Sequence, residues 1–135
     1  MPHPAVDTAF KARIAANFTT IPTIGVNGVT EPPSDGSSFV VIQYPVVNGD
    51  KPVLGRRFFE EGAARIVINA ARGPAQNDAE ATWAPALASL FRDRKLGGGI
   101  ETFTPDGPII NDANDDGQYF SLSLIVPYRY QFDDA

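Results

Sequence analysis

The chain has 135 residues, 11 basic and 16 acidic side chains, a net charge of −5, no cysteine and a single histidine, His3. That excludes disulfides, thiolate metal sites and cysteine nucleophiles, and it leaves no second histidine for a multi-histidine metal site or an internal Ser-His-Asp triad. The net acidity argues against a free-standing nucleic-acid binder, and no apolar run reaches the ~20 residues of a membrane span.

The length suits one domain, residues 1–135, with a radius of gyration of roughly 14 Å. Twelve Gly and twelve Pro predict many turns. Residues 6–18 read as a first helix, because Val6, Phe10, Ile14 and Phe18 recur every fourth residue. Pro22 makes the following extended stretch, 20–26, a short or edge strand. Residues 27–38 form a long loop, punctuated by Pro32-Pro33 and Asp35-Gly36. Residues 39–47 carry apolar side chains on both faces, which predicts a strand covered on both sides, by the core or by another subunit.

Residues 57–71 predict a strand in two parts, with Gly62 marking a bulge between them. Ala64, Ile66, Ile68 and Ala70 share one face of it, and Glu61, Arg65 and Asn69 the other. Residues 78–96 read as a second helix on the stripe Trp83, Leu87, Leu90 and Phe91, capped by Asn77 or Asp78. Pro85 should kink it or split off a first turn, and Gly97, Gly98 and Gly99 should stop it. A short strand at 100–104 leads into a second long loop, 105–118.

The clearest element is strand 119–132, with Phe120, Leu122, Leu124, Val126, Tyr128, Tyr130 and Phe132 at alternate positions. At ~3.3 Å per residue these fourteen residues would span about 46 Å, more than a domain of this size is wide. Either Pro127 bends the strand or its end leaves the domain in search of cover from another copy. The element order implies an α+β fold: a mixed, mostly antiparallel sheet of four to five strands with two helices packed on one face.

Few residues offer chemistry. Asp112, Asn114, Asp116 and Gly117 fit the first half of a calcium loop, but Ser123 stands where the bidentate carboxylate belongs. This leaves a weak cation candidate beside the plainer reading of a solvated turn. Glu60 and Glu61 are adjacent in a strand, so they point to opposite faces and cannot share a substrate. Charge is unevenly divided: three basic and four acidic residues in 1–55, seven and five in 56–95, one and seven in 96–135. The basic group Arg56, Arg57, Arg92 and Arg94, with Arg65, Arg72 and Lys95, sits in the middle of an acidic chain. Arg92, Arg94 and Lys95 complement a helix C-terminus. They also suit a contact between copies, basic middle against acidic end.

LGRRFFEEGAARIVINAARG at 54–73, WAPALASLFRDRKLGGGIETFTP at 83–105 and DDGQYFSLSLIVPYRYQF at 115–132 resemble the tail terminators of tailed bacteriophages. The resemblance covers roughly residues 39–132 and carries no catalytic motif. It implies an α+β protomer of a hexameric ring in the virion, without enzymatic activity or cofactor. One ring face would meet the tail tube protein and the other the head-proximal connector, while double-stranded DNA passes through the lumen unread. Candidate interface residues are Arg56, Arg57, Arg92, Arg94, Tyr128, Arg129 and Tyr130, with the two long loops. Head-closure proteins of the phage neck are similar, and differ in the neighbour they bind. A small ligand-binding module, with a pocket between helices and sheet, is the reading from outside this class.

Overall fold

A computed structural model describes residues 3–19, 23–26, 38–50, 57–71, 78–111 and 119–133. The elements in chain order are α1 (Pro4–Asn17), β1 (Thr23–Val26), β2 (Phe39–Asp50), β3 (Arg57–Ala71), a π-helical turn (Ala79–Trp83) running into α2 (Ala84–Phe91), β4 (Lys95–Gly97), β5 (Ile100–Thr102), β6 (Asp106–Asn111) and β7 (Tyr119–Asp133). The strands form one sheet in the order β1-β2-β3-β7-β5-β4, with β6 also paired to β7. Only β1 and β2 are parallel; the other pairs are antiparallel. The fold is therefore the expected α+β sheet with two helices on one face, with β4 and β6 added to the expected strands.

Helix α1 forms where its fourfold spacing predicts. Val6, Phe10 and Ile14 are fully buried, and Phe18 nearly so. Pro4 stands in the first turn, where a missing N–H costs nothing. Phe10 lies at the centre of the core. Its ring stacks on Phe91 at 4.9 Å and meets Tyr128 and Tyr44 edge-on at 5.8 and 6.2 Å. Burying such a side chain is worth about 1.5–3 kcal/mol, and each good ring pair adds about 0.5–1.5 kcal/mol. The helix-facing residues of β3 and β7, Ala64 to Ala70 and Leu122 to Tyr130 at alternate positions, close the core from the sheet side.

Strand β7 runs through Pro127 as one strand and does not leave its domain uncovered. It pairs with β3 without a register shift, from Arg57↔Asp133 to Ala71↔Tyr119. An equally long neighbour accommodates its length, and its own helices cover its apolar face from Leu122 through Tyr130. Strand length is thus no argument for self-assembly. Pro127 is tolerated because its carbonyl accepts from Phe103 N–H at 3.0 Å on the edge away from β3, so its missing N–H faces that edge too. There β5 pairs with 128–130 and β6 with 121–125, and Pro127 falls between them.

Other expectations change in detail. β3 is continuous; the register shift beside Gly62 lies in β2, between Gln43 and Val46. Gly62 is required because a Cβ there would collide with the Val46 carbonyl and press on the Tyr128 ring and hydroxyl. The second helix ends at Phe91, not at residue 96, with Arg92 extended and Asp93 at φ 50°. Arg13 Nε donates to the Leu90 carbonyl at 3.1 Å and Thr102 Oγ1 to the Phe91 carbonyl at 2.7 Å. These distant side chains satisfy carbonyls that a helix end leaves open. Gly97, Gly98 and Gly99 instead take positive φ in the turn between β4 and β5. Pro85 sets off a first turn rather than breaking the helix: the residues before it form the π turn Ala79–Trp83, which runs on into α2 through Ala84. Asp78 makes no side-chain cap bond, and Asn77 lies outside the described residues. Within the expected loop 105–118, Asp106–Asn111 form strand β6. Phe39 and Val41, on the face of β2 away from the helices, are already buried in the single chain, so no second subunit is needed to cover them.

Candidate functional site

Glu60 faces the helices and is only 8% exposed. Its carboxylate accepts the His3 backbone N–H at 3.0 and 3.2 Å, and Oε2 also accepts the Tyr128 hydroxyl at 2.8 Å. His3 caps α1, its Nδ1 accepting from Ala5 N–H at 3.1 Å. A carboxylate at that helix N-terminus is favoured by the free N–H groups and the dipole. One turn along, Asp7 accepts the Tyr44 hydroxyl at 2.9 Å and pairs with Lys11 at 3.0 Å. Burial, then the neighbouring carboxylates, hold both tyrosine hydroxyls above the ordinary tyrosine range, Tyr44 against Asp7 and Tyr128 against Glu60. Both remain neutral donors. The arrangement fastens α1 to the β2-β3-β7 sheet; the groups point at one another and not at an open substrate space. Glu61 is exposed on the opposite face, as strand alternation predicts.

Tyr128 and Tyr130 are interface candidates by sequence. The structure puts them in the core: Tyr128 is 2% exposed, and Tyr130 packs near the His3 ring at 5.0 Å. Their positions on the apolar side of β7 were legible; their burial depends on α1 lying over them. Arg92 and Arg94 are exposed and make no ion pair among the described residues, and Lys95 is alike. Exposed Asp78 and Glu80 stand at the other end of the same helical stretch, about 20 Å away at ~1.5 Å per residue. Arg57 lies opposite Asp133 in the β3–β7 register, with its side chain outside the description. Arg56 and the cation candidates Asp112, Asn114 and Asp116 fall outside the described residues. No cluster of three metal-type ligands occurs among the described residues.

Arg129 lies on the sheet face away from the helices, 3.9 Å from Glu101 and 5.6 Å over the Phe59 ring. On that face the register arranges side chains in rows across the strands. One row is Glu61, Arg129, Glu101 and Lys95, on β3, β7, β5 and β4. The next is Val46, Ala63 and Pro127, on β2, β3 and β7, and Phe103 extends it through its bond to the Pro127 carbonyl. Val46 is 49% exposed, Phe103 40% and Ile109, opposite Ser123, 53%. By the alternation of buried and open positions, the three large exposed apolar side chains among the described residues therefore sit on this one face. Val46, Lys95, Glu101 and Phe103 are not among the interface candidates that the sequence offers. Their strands are distant in sequence, and only the sheet order makes them neighbours.

No family model matches the chain, and no curated protein matches it. A solved structure whose name carries no function superposes with a TM-score of 0.59 at 17% identity, over 96% of this chain and 96% of its own. That likeness is one of fold. No described helix is long and apolar enough to cross a membrane.

Proposed function

We propose that this chain is a structural protein of tailed-phage virions, a tail terminator whose copies form a hexameric ring on the end of the tail tube. The ring joins the tube to the head-proximal connector, and double-stranded DNA passes through its lumen. The observation that carries this reading is the division of exposed charge along the second helix. Asp78 and Glu80 stand at its start, and Arg92 and Arg94 just past its end, all exposed. A ring needs head-to-tail contacts between unlike patches, and these two helix ends are unlike and complementary.

Further support comes from the segment resemblance. Its three stretches include all or nearly all of β3, α2 through β5, and β7, the central strands and the helix packed on them. The net acidity suits a lumen along which DNA slides, since a strongly basic wall would retain phosphates. The work of such a protein lies in its surfaces, and the buried Glu60 cluster keeps α1 in place beneath them.

Tail tubes assembled with and without the protein, imaged by electron microscopy, test the proposal. Capped tubes of regulated length are expected only with it. Arg92→Glu with Arg94→Glu should abolish capping while the variant stays folded. Binding to the connector but never to tube ends would replace termination by the head-closure role. Binding to neither would end the proposal.

A further inference from the structure

The helix-free sheet face carries a charge pattern with an unusual symmetry. Across four neighbouring strands the row Glu61, Arg129, Glu101, Lys95 alternates in sign. Within one sheet, such alternation gives favourable cross-strand neighbours. It also has a second property. Read from either end, the row is the opposite of itself: acid, base, acid, base becomes base, acid, base, acid. A second copy laid face to face by a two-fold axis along the strands reverses the row and keeps its height on the strand. Glu61 of each copy then meets Lys95 of the other, and Arg129 meets Glu101. The same axis keeps the apolar row at its own height, so Phe103 of each copy packs against Pro127 of the other. Any two-fold axis along the row itself would place like charges together.

From this geometry we infer that the helix-free face is a self-complementary docking surface for a second copy of this chain. The observations agree on the location. Half of that face is closed within the chain, with Phe39, Val41 and Ser121 buried. The other half keeps Val46 and Phe103 open. Glu61 and Lys95 are exposed and make no ion pair among the described residues, so each has a charge to offer. Packing the two faces produces an aligned sandwich, with sheets ~10 Å apart. This contact is isologous and closes at two copies. It is therefore separate from a ring contact and does not rest on the tail-terminator reading.

The test is sedimentation equilibrium of the full chain and of three variants at exposed positions. The unaltered protein should form a dimer that weakens with salt. Lys95→Glu places like charges opposite each other at two symmetric points, and so does Glu61→Lys. Each should raise the dimer Kd by about tenfold or more. The double variant Glu61→Lys with Lys95→Glu restores opposite signs across the two-fold axis and should recover a Kd within about threefold of the original. Within one chain the two positions are three strands, or about 14 Å, apart, so recovery reports a contact between copies. Thermal melts confirm that each variant folds. A monomer at all concentrations, a dimer indifferent to Lys95→Glu, or a double variant no better than either single would each overturn the inference. Only closed rings, unaffected by these changes, would assign the face to another partner.

Discussion

Removing one hydroxyl tests the buried carboxylate cluster. Tyr128→Phe keeps the ring that packs on Phe10 but deletes the 2.8 Å bond to Glu60. A bond to a charged acceptor contributes about 1.5–3 kcal/mol, so the variant should lose about 2 kcal/mol at pH 7. For a chain of this length that corresponds to a fall in Tm of about 7 °C.

The alkaline limb is more diagnostic. Burial and Glu60 raise the Tyr128 hydroxyl in the folded state, as burial and Asp7 raise that of Tyr44. Above the ordinary tyrosine value of about 10, the unfolded chain releases these protons and the folded chain keeps them. The folded state then binds more protons, so stability is intact below pH 10 and falls as pH rises. Each such group contributes a slope of about 1.4 kcal/mol per pH unit. Among the described residues the unaltered protein has two such tyrosines and Tyr128→Phe has one, so the deficit of the variant should shrink above pH 10. It should vanish roughly 1.5 units higher, where the ~2 kcal/mol advantage has been titrated away. Urea unfolding of both proteins at intervals from pH 7 to 11.5 measures the difference. Two curves that stay parallel across the alkaline range would refute the account of Tyr128 as a neutral donor held by Glu60.

Gly62→Ala brings a Cβ against the Val46 carbonyl, and the backbone of two strands must shift, so a loss of about 2–3 kcal/mol is expected by chemical denaturation. Phe10→Ala removes a fully buried ring from the centre of the core and should cost about 3–5 kcal/mol, read the same way. Thr102→Val keeps the shape of a buried side chain but strips the Phe91 carbonyl of its donor, with an expected loss of about 1–3 kcal/mol. Hydrogen exchange should then show the last turn of α2 opening more readily than in the unaltered chain. The charge-reversal series at Glu61 and Lys95 and the Arg92/Arg94 variant extend these tests to the surface.

Local pattern made most of the fold legible. The fourfold recurrence of Val6, Phe10, Ile14 and Phe18 determined α1 and its buried stripe. The alternation from Leu122 to Tyr130 determined β7 and its inward face, and Pro22 pointed to a short or edge strand within 20–26, which is the four-residue β1 at the sheet edge. Proline reads differently in its two other places. Pro85 sets off a π-helical first turn because the ring and missing N–H act within one turn. Pro127 divides nothing, because its effect depends on which edge of the strand it faces and on what pairs there. The same limit explains the second helix. Its last carbonyls are satisfied by Arg13 from α1 and Thr102 from β5, and no local signal near residue 91 announces that.

Composition and periodicity by themselves determined the class of this protein: α+β, acidic, free of cysteine chemistry, its strands and helices assigned by which face each must bury. Tertiary structure alone decided what its surfaces carry. Tyr128 and Tyr130 moved from interface to core because a helix far away in sequence covers them. Glu61, Arg129, Glu101 and Lys95 became one row because four strands, separated along the chain, are hydrogen-bonded side by side. Which face of a strand or helix is apolar follows from its own sequence pattern; what covers that face does not. A charge pattern across strands exists only once register and strand order are fixed, and long-range pairing fixes both.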